Sequence, residues 1–187
     1  MNHKIMQPFF QNSQIVWRAV FFGAALYISF LTSSTDAIAL DGYQDRRGLL
    51  GGIAGGGGAI FTPDDVSGLM GLGFHFGGGA TEWLTISANV DLYWLPALEQ
   101  DALALRPGLQ VRGFFVGGLF GGLDAGMVWL AQEGDDRLGI ALGVSVGYEF
   151  FVGANQAISL SVGYERHALF DADDANTILV RLGTTWY

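Results

Sequence analysis

The chain has 187 residues, enough for one compact unit, and no cysteine, which excludes a disulfide framework and a thiolate metal site. Half of the residues are hydrophobic and only 14% are charged, yet 29 glycines break up the apolar runs, a composition that fits neither a soluble domain nor a helical membrane protein. A net charge of -9 and an isoelectric point near 4.5, with no basic cluster beyond Arg46 and Arg47, argue against nucleic acid as a partner.

The first 39 residues read as an export signal. Lys4 and Arg18 precede the apolar stretch Ala19 to Leu31, which gives way to the polar residues Thr32 to Asp36 and the small-residue triplet Ala37-Ile38-Ala39. That order is the charged, apolar, small-residue sequence of a secretory signal peptide, with cleavage expected after Ala39. The apolar run is shorter than the ~20 residues a spanning helix needs, which disfavours a retained anchor. The mature domain is therefore expected at residues 40–187.

Within it the side chains alternate at period two, the signature of strands with one apolar and one polar face. The Gly-rich stretch Leu49 to Ile60 has little to pattern and is counted as a first strand. Met70, Leu72, Phe74 and Phe76 then oppose Gly71, Gly73 and His75. Leu84, Ile86, Ala88, Val90, Leu92 and Trp94 oppose Thr85, Ser87, Asn89, Asp91 and Tyr93, and next Leu105, Leu109 and Val111 oppose Arg106, Gln110 and Arg112. A weaker segment sets Leu119, Leu123, Ala125, Met127 and Trp129 on one parity, interleaved with Phe120 and Val128. Leu138 to Phe150 and Ile158 to Tyr164 alternate with partners that include Glu149, Glu165 and His167. The last segment sets Ile178, Val180, Leu182, Thr184 and Trp186 against Arg181, Gly183, Thr185 and Tyr187.

These segments make about eight strands of roughly ten residues, the length a tilted strand needs to cross a bilayer. The fold class expected is all-β: a closed antiparallel up-and-down transmembrane β-barrel, since closure lets lipid-exposed backbone satisfy its hydrogen bonds. A helical rival exists at Gly113 to Ala131, with Asp124 its only charge. Short joints are expected at 77–79, 116–118 and 152–155, alternating with longer loops around Asp64, 96–101, 132–136 and 171–176. Short turns face the periplasm in such barrels, so Asp64, Asp65, Glu99, Asp101, Glu133, Asp135, Asp136, Asp171, Asp173 and Asp174 are assigned to the outer surface. Phe61, Trp83, Tyr93, Trp94, Phe114, Phe115, Trp129, Phe150, Phe151, Phe170 and Trp186 fall near strand ends, as interface girdles require.

On this pattern the region from about 47 to 187 resembles the small eight-stranded outer-membrane barrels of Gram-negative bacteria, the group that includes the OmpA transmembrane domain and OmpX. The resemblance implies location in the outer membrane, with its lipid and lipopolysaccharide as partners. Arg181, Gly183, Trp186 and Tyr187 are similar to the C-terminal signal read by the barrel assembly machinery. There the final residue is usually an aromatic on the lipid face, whereas here Trp186 holds lipid parity and Tyr187 follows it. A monomer without cofactor or metal is the corresponding expectation.

The ionisable residues of inward parity are Asp91, Arg106, Arg112, Asp124, Glu149, Glu165, His167, Arg181 and His75. An eight-stranded barrel is only wide enough for side chains to fill it, so these charges must pair. Asp91 with Arg106, Glu165 opposite Arg181, and Glu149 with Arg112 are the pairs expected, making a plugged core rather than a conduit. A narrow channel is the alternative.

A second alternative is an enzyme acting on lipid A, with Glu165 orienting His167 as a base. The resembling deacylases carry a Ser close after the His, whereas Ala168 and Leu169 stand here, and parity turns His167 inward. No catalytic residue is therefore assigned. The loop acids could collect Ca²⁺ but lack EF-hand spacing and read as solvated surface. Arg166, of lipid parity near the outer end of its strand, is expected to snorkel toward lipopolysaccharide phosphates.

Overall fold

The computed structural model describes residues 45–96, 102–132, 135–170 and 173–187. Residues 1–39, read above as an export signal, and Glu99, Asp101, Glu133 and Asp171, assigned above to loops, lie outside the described residues.

Eight strands follow one another along the described chain: β1 (Gly48–Phe61), β2 (Val66–Thr81), β3 (Leu84–Leu95), β4 (Ala102–Phe114), β5 (Leu119–Gln132), β6 (Asp135–Phe151), β7 (Gln156–Leu169) and β8 (Ala175–Trp186). Each pairs antiparallel with the next, and β8 returns to β1 from Gly51 opposite Trp186 to Phe61 opposite Asn176, closing the sheet. Closure satisfies the hydrogen bonds of every strand without leaving an edge. The strand ends at Phe61 and Val66, Leu95 and Ala102, Gln132 and Asp135, and Leu169 and Ala175 share one rim, the mouth. The connections at 82–83, 115–118 and 152–155 share the other, the base, with both ends of the barrel sequence.

Which face is apolar decides the environment. On β3, Ile86, Val90 and Leu92 point outward and are 45–46% exposed, while Thr85, Ser87, Asn89 and Asp91 are buried. On β6, Leu138, Ile140, Leu142, Val144 and Val146 are exposed around the buried Ala141 and Glu149. Repeated on the other strands, this wraps the outside in hydrocarbon side chains and puts the polar residues inside, the inverse of a soluble barrel. So large an apolar belt is stable only against lipid. Trp83, Phe115 and Phe150 stand exposed toward the base and Phe61, Trp129 and Phe170 toward the mouth, where interfacial rings belong.

Several expectations need correction. The strands run 12 to 17 residues, longer than the bilayer requires. Gly77 to Gly79 is not a turn: it lies within β2, and the chain reverses at Glu82-Trp83. Gly79 faces the segment entering β1, where an added Cβ would run into the Arg46 carbonyl, so glycine is there for close approach. Gln132, Asp135 and Asp136 are strand residues rather than loop. Gly113 to Ala131 is no helix, because it spans the end of β4, a turn and most of β5. Tyr93 and Phe114, assigned to the girdles, are 5% and 3% exposed and fill the interior. Thr184 keeps outward parity yet is buried: it accepts a hydrogen bond from Gln156 Nε2 at 3.3 Å and donates one to the Ala157 carbonyl at 3.0 Å.

Candidate functional site

The lumen is built in three tiers. The middle tier is an ion-pair plug whose hub is Arg106, a fully buried side chain of β4. Register sets it directly opposite Asp91 on β3, and Nη1 reaches Asp91 Oδ2 at 2.8 Å. Nη2 pairs with Asp124 of β5, and Glu165 of β7 lies 3.6 Å from Nη1. Asn89 Nδ2 donates to the same Asp91 oxygen at 2.8 Å. From the far wall Arg181 of β8 donates to Glu165 Oε1 at 2.6 Å and to the Tyr93 hydroxyl, which itself approaches Glu165 at 3.2 Å. Desolvation makes each lone charge here costly by several kcal/mol, and the paired geometry offsets that cost.

Glycines opposite Asp91, Tyr93, Asp124 and Glu165 make room for these side chains. Gly143 on β6 faces Asp124, and a Cβ there would sit 2.6 Å from both carboxylate oxygens.

Below the plug, a polar void of about 30 Å³ is lined by His75, Asn89, Arg112, Ser145 and Ser159. Asn89 Oδ1, Arg112 Nε and Ser145 Oγ have no protein partner there. A space of that size accommodates a water molecule with enough polar neighbours to hold it. Across the void, His75 Nε2 is 3.1 Å from Thr185 Oγ1.

The base is closed by a different device. Arg46, only 3% exposed, bonds through Nε to Glu149 Oε1 at 2.8 Å. Its guanidinium lies 3.8 Å from the ring centroid of Phe114 and 5.2 Å from that of Phe151. This cation-π seat suits a planar guanidinium. Tyr187 stacks on Phe151 at 5.5 Å and donates its hydroxyl to Glu149 Oε2 at 2.9 Å. Outside the closure, Asp45 takes hydrogen bonds from the Arg47 side chain and backbone, which hold its carboxyl down to about 2.

The mouth tier is apolar. A cavity of about 350 Å³ lies between the plug and the mouth, walled by Leu69, Leu95, Ala102, Ala104, Val128 and Leu130. Tyr93, His167 and Thr177 contribute polar groups to it, and Asp64, Asp65, Asp173 and Arg137 lie around its outer part.

Of the pairs expected from sequence, Asp91 with Arg106 forms as register dictates. Glu165 and Arg181 also pair, but not as opposed residues: Glu165 faces Thr177 and Arg181 faces Ser161, so the bond runs diagonally along the wall. Glu149 takes Arg46 rather than Arg112, whose guanidinium stacks instead over Phe120 at 5.1 Å. Arg166, exposed near the outer end of β7, pairs with Asp174 at 2.6 Å.

His167 is buried and inward, with Nε2 at 3.0 Å from Thr177 Oγ1 and 3.7 Å from Glu165 Oε2. Both partners approach one nitrogen, so Glu165 does not hold the ring through Nδ1 as an orienting carboxylate would. Trp186 keeps the outward parity of β8 while Tyr187 turns into the base.

Arg46 is the residue of the lumen closures that sequence reasoning missed, while Tyr93 and Tyr187 were named for other roles, a girdle and a C-terminal signal. The available signal was Glu149, an inward carboxylate with Ser159 as its register partner on β7 and no cation beside it on that strand.

No protein-family model and no curated protein matches the chain. Among solved structures it is similar to the surface protein NspA of Neisseria, with a TM-score of 0.60 at 12% identity, covering 74% of this chain and 95% of that one. It is also similar to the N-terminal β-barrel domain of OprF from Pseudomonas aeruginosa (TM-score 0.46, 13% identity, 76% and 98% covered). A third likeness is to Ail, the attachment invasion locus protein of Yersinia pestis (TM-score 0.46, 15% identity, 75% and 99% covered). The closed eight-stranded sheet and the likeness to NspA show the fold of the small eight-stranded outer-membrane barrels.

Proposed function

We propose that this chain is exported by its N-terminal signal, inserts in the outer membrane with its mouth outward, and serves there as a non-conducting, non-enzymatic barrel. Its role is to support the envelope or to present a surface for interaction. The observation that carries this reading is the double closure of the lumen: Arg106 and its carboxylates fill the middle, and Arg46, Glu149 and Tyr187 fill the base. An ion crossing would have to displace charges already neutralised in a space side chains fill, at a cost of several kcal/mol. The chemistry around His167 favours the same reading, since its carboxylate neighbour does not orient it and no serine follows it.

Outer-membrane lipid and lipopolysaccharide are the surroundings proposed for the belt. The barrel assembly machinery is the proposed reader of the C-terminal residues, and the working state is a monomer. Purified protein in planar lipid bilayers should give no stable single-channel steps. Large, reproducible steps would replace this reading with a channel. Loss of an acyl chain from lipid A on overexpression, abolished by His167→Ala, would replace it with an enzyme.

A further inference from the structure

We infer that the mouth cavity is a binding site for small uncharged apolar alcohols, with the hydrocarbon part on the cavity wall and the hydroxyl at His167. The inference does not depend on whether the barrel conducts, since it uses only the tier above the plug.

The wall comes first. Inward residues of an outer-membrane barrel of this width need only fill space, and in the middle tier they are polar. In the mouth tier they turn apolar: Leu69, Leu95, Ala102, Ala104, Val128 and Leu179 form one buried cluster, with Ile60, Leu130 and Leu169 packed against it. This cluster does not close on itself but surrounds about 350 Å³. That volume falls at the lower end of ordinary small-ligand pockets, and at interior packing density it holds on the order of ten to fifteen non-hydrogen atoms. Alanine at two adjacent inward positions of β4, Ala102 and Ala104, keeps the space open where larger residues would fill it.

Polarity sets the class. The outer part of the cavity carries three described carboxylates, Asp64, Asp65 and Asp173, against one guanidinium, Arg137. Below it lies Glu165, touched by Tyr93 and His167. An anionic amphiphile such as a fatty acid would therefore meet like charge at the rim. His167 lines the cavity with a buried Nδ1 that has no protein partner. The carboxylate beside Nε2 favours the tautomer with its proton on that nitrogen, which leaves Nδ1 as an acceptor. A hydroxyl supplies the donor that an unpaired buried acceptor lacks.

The test uses the full mature barrel in phospholipid nanodiscs with 1-naphthol, an uncharged fluorescent alcohol of suitable size, as probe. Empty nanodiscs define the partitioning background. Saturable binding above that background is expected for the wild type, and the 1-naphthoate anion should bind more weakly. Ala104→Trp fills the cavity and should abolish the saturable component; Ala102→Phe, a milder filling, provides the same readout if the first variant does not fold. Folding is scored by heat-dependent gel mobility. His167→Phe should weaken 1-naphthol about two- to tenfold, the worth of one hydrogen bond, and leave naphthalene unchanged. Titrations identical in the wild type and a folded filled variant, or equal to the empty-disc background, would overturn the site. An unchanged 1-naphthol affinity in folded His167→Phe would overturn the hydroxyl assignment.

Discussion

Replacing Arg106 by methionine, a side chain of similar length without charge, removes the hub of the plug. The cost follows from what each carboxylate keeps. Asp91 retains the hydrogen bond from Asn89, and Glu165 retains Arg181 and Tyr93. Asp124 retains no other ion pair among the described residues. The variant therefore orphans about one buried carboxylate rather than three, which sets the loss at about 3–5 kcal/mol. At about 1.4 kcal/mol per tenfold, that moves the unfolding equilibrium by two to three and a half orders of magnitude. Urea unfolding in lipid vesicles, followed by tryptophan fluorescence, measures it. The double variant Arg106→Met with Asp124→Asn should recover most of the loss, because the orphan is then neutral. A single variant within about 1 kcal/mol of wild type, or a double variant no better than the single, would refute the assignment of Asp124 as the carboxylate that depends on Arg106.

Other perturbations read the remaining parts of the barrel. Gly143→Ala should cost about 1–3 kcal/mol because its Cβ meets the Asp124 carboxylate, whereas Gly68→Ala, with nothing within 4 Å, should be close to neutral; equal effects would contradict the packing described. Leu142→Arg places a charge on the lipid face near the middle of β6 and should destabilise by about 2–4 kcal/mol in vesicle unfolding, and a neutral result would put that face elsewhere. Asp45 should titrate near 2 in a carbon-13 NMR experiment. Its contact with Arg47 is fully present above the unfolded value of 3.8 and is lost as pH falls through about 2, so a midpoint at the ordinary value would mean the contact does not form.

The strands were legible because lipid outside and packed polar groups inside force alternation, and Leu84 to Leu95 shows it without interruption. The plug was half legible. Asp91 and Arg106 lie on adjacent strands where register alone brings them together, but the diagonal from Arg181 to Glu165 depends on guanidinium reach. The base was not legible, because Arg46 lies before the first strand and belongs to no alternating pattern. The turn at Glu82-Trp83 was hidden by Gly77 to Gly79, which carry the composition of a turn but serve close approach within β2. The mouth cavity was invisible for a similar reason: Ala102 and Ala104 look like weak strand residues until their inward direction is known.

The bond from Arg46 to Glu149 joins residues 103 apart in the chain, and the one from Tyr187 to Glu149 joins residues 38 apart. The first cannot form while the sheet is still an open ribbon, because Arg46 precedes β1 and meets β6 only once the first and last strands have found each other, whereas the second spans only the neighbouring strands β6 to β8. Hairpins along the polypeptide are local and can zip early; the lower seal is the slowest and most entropically demanding step. The arrival of Arg46 therefore marks the moment the cylinder is finished, and a ring current from Phe151 felt by its guanidinium would serve as a clock for insertion.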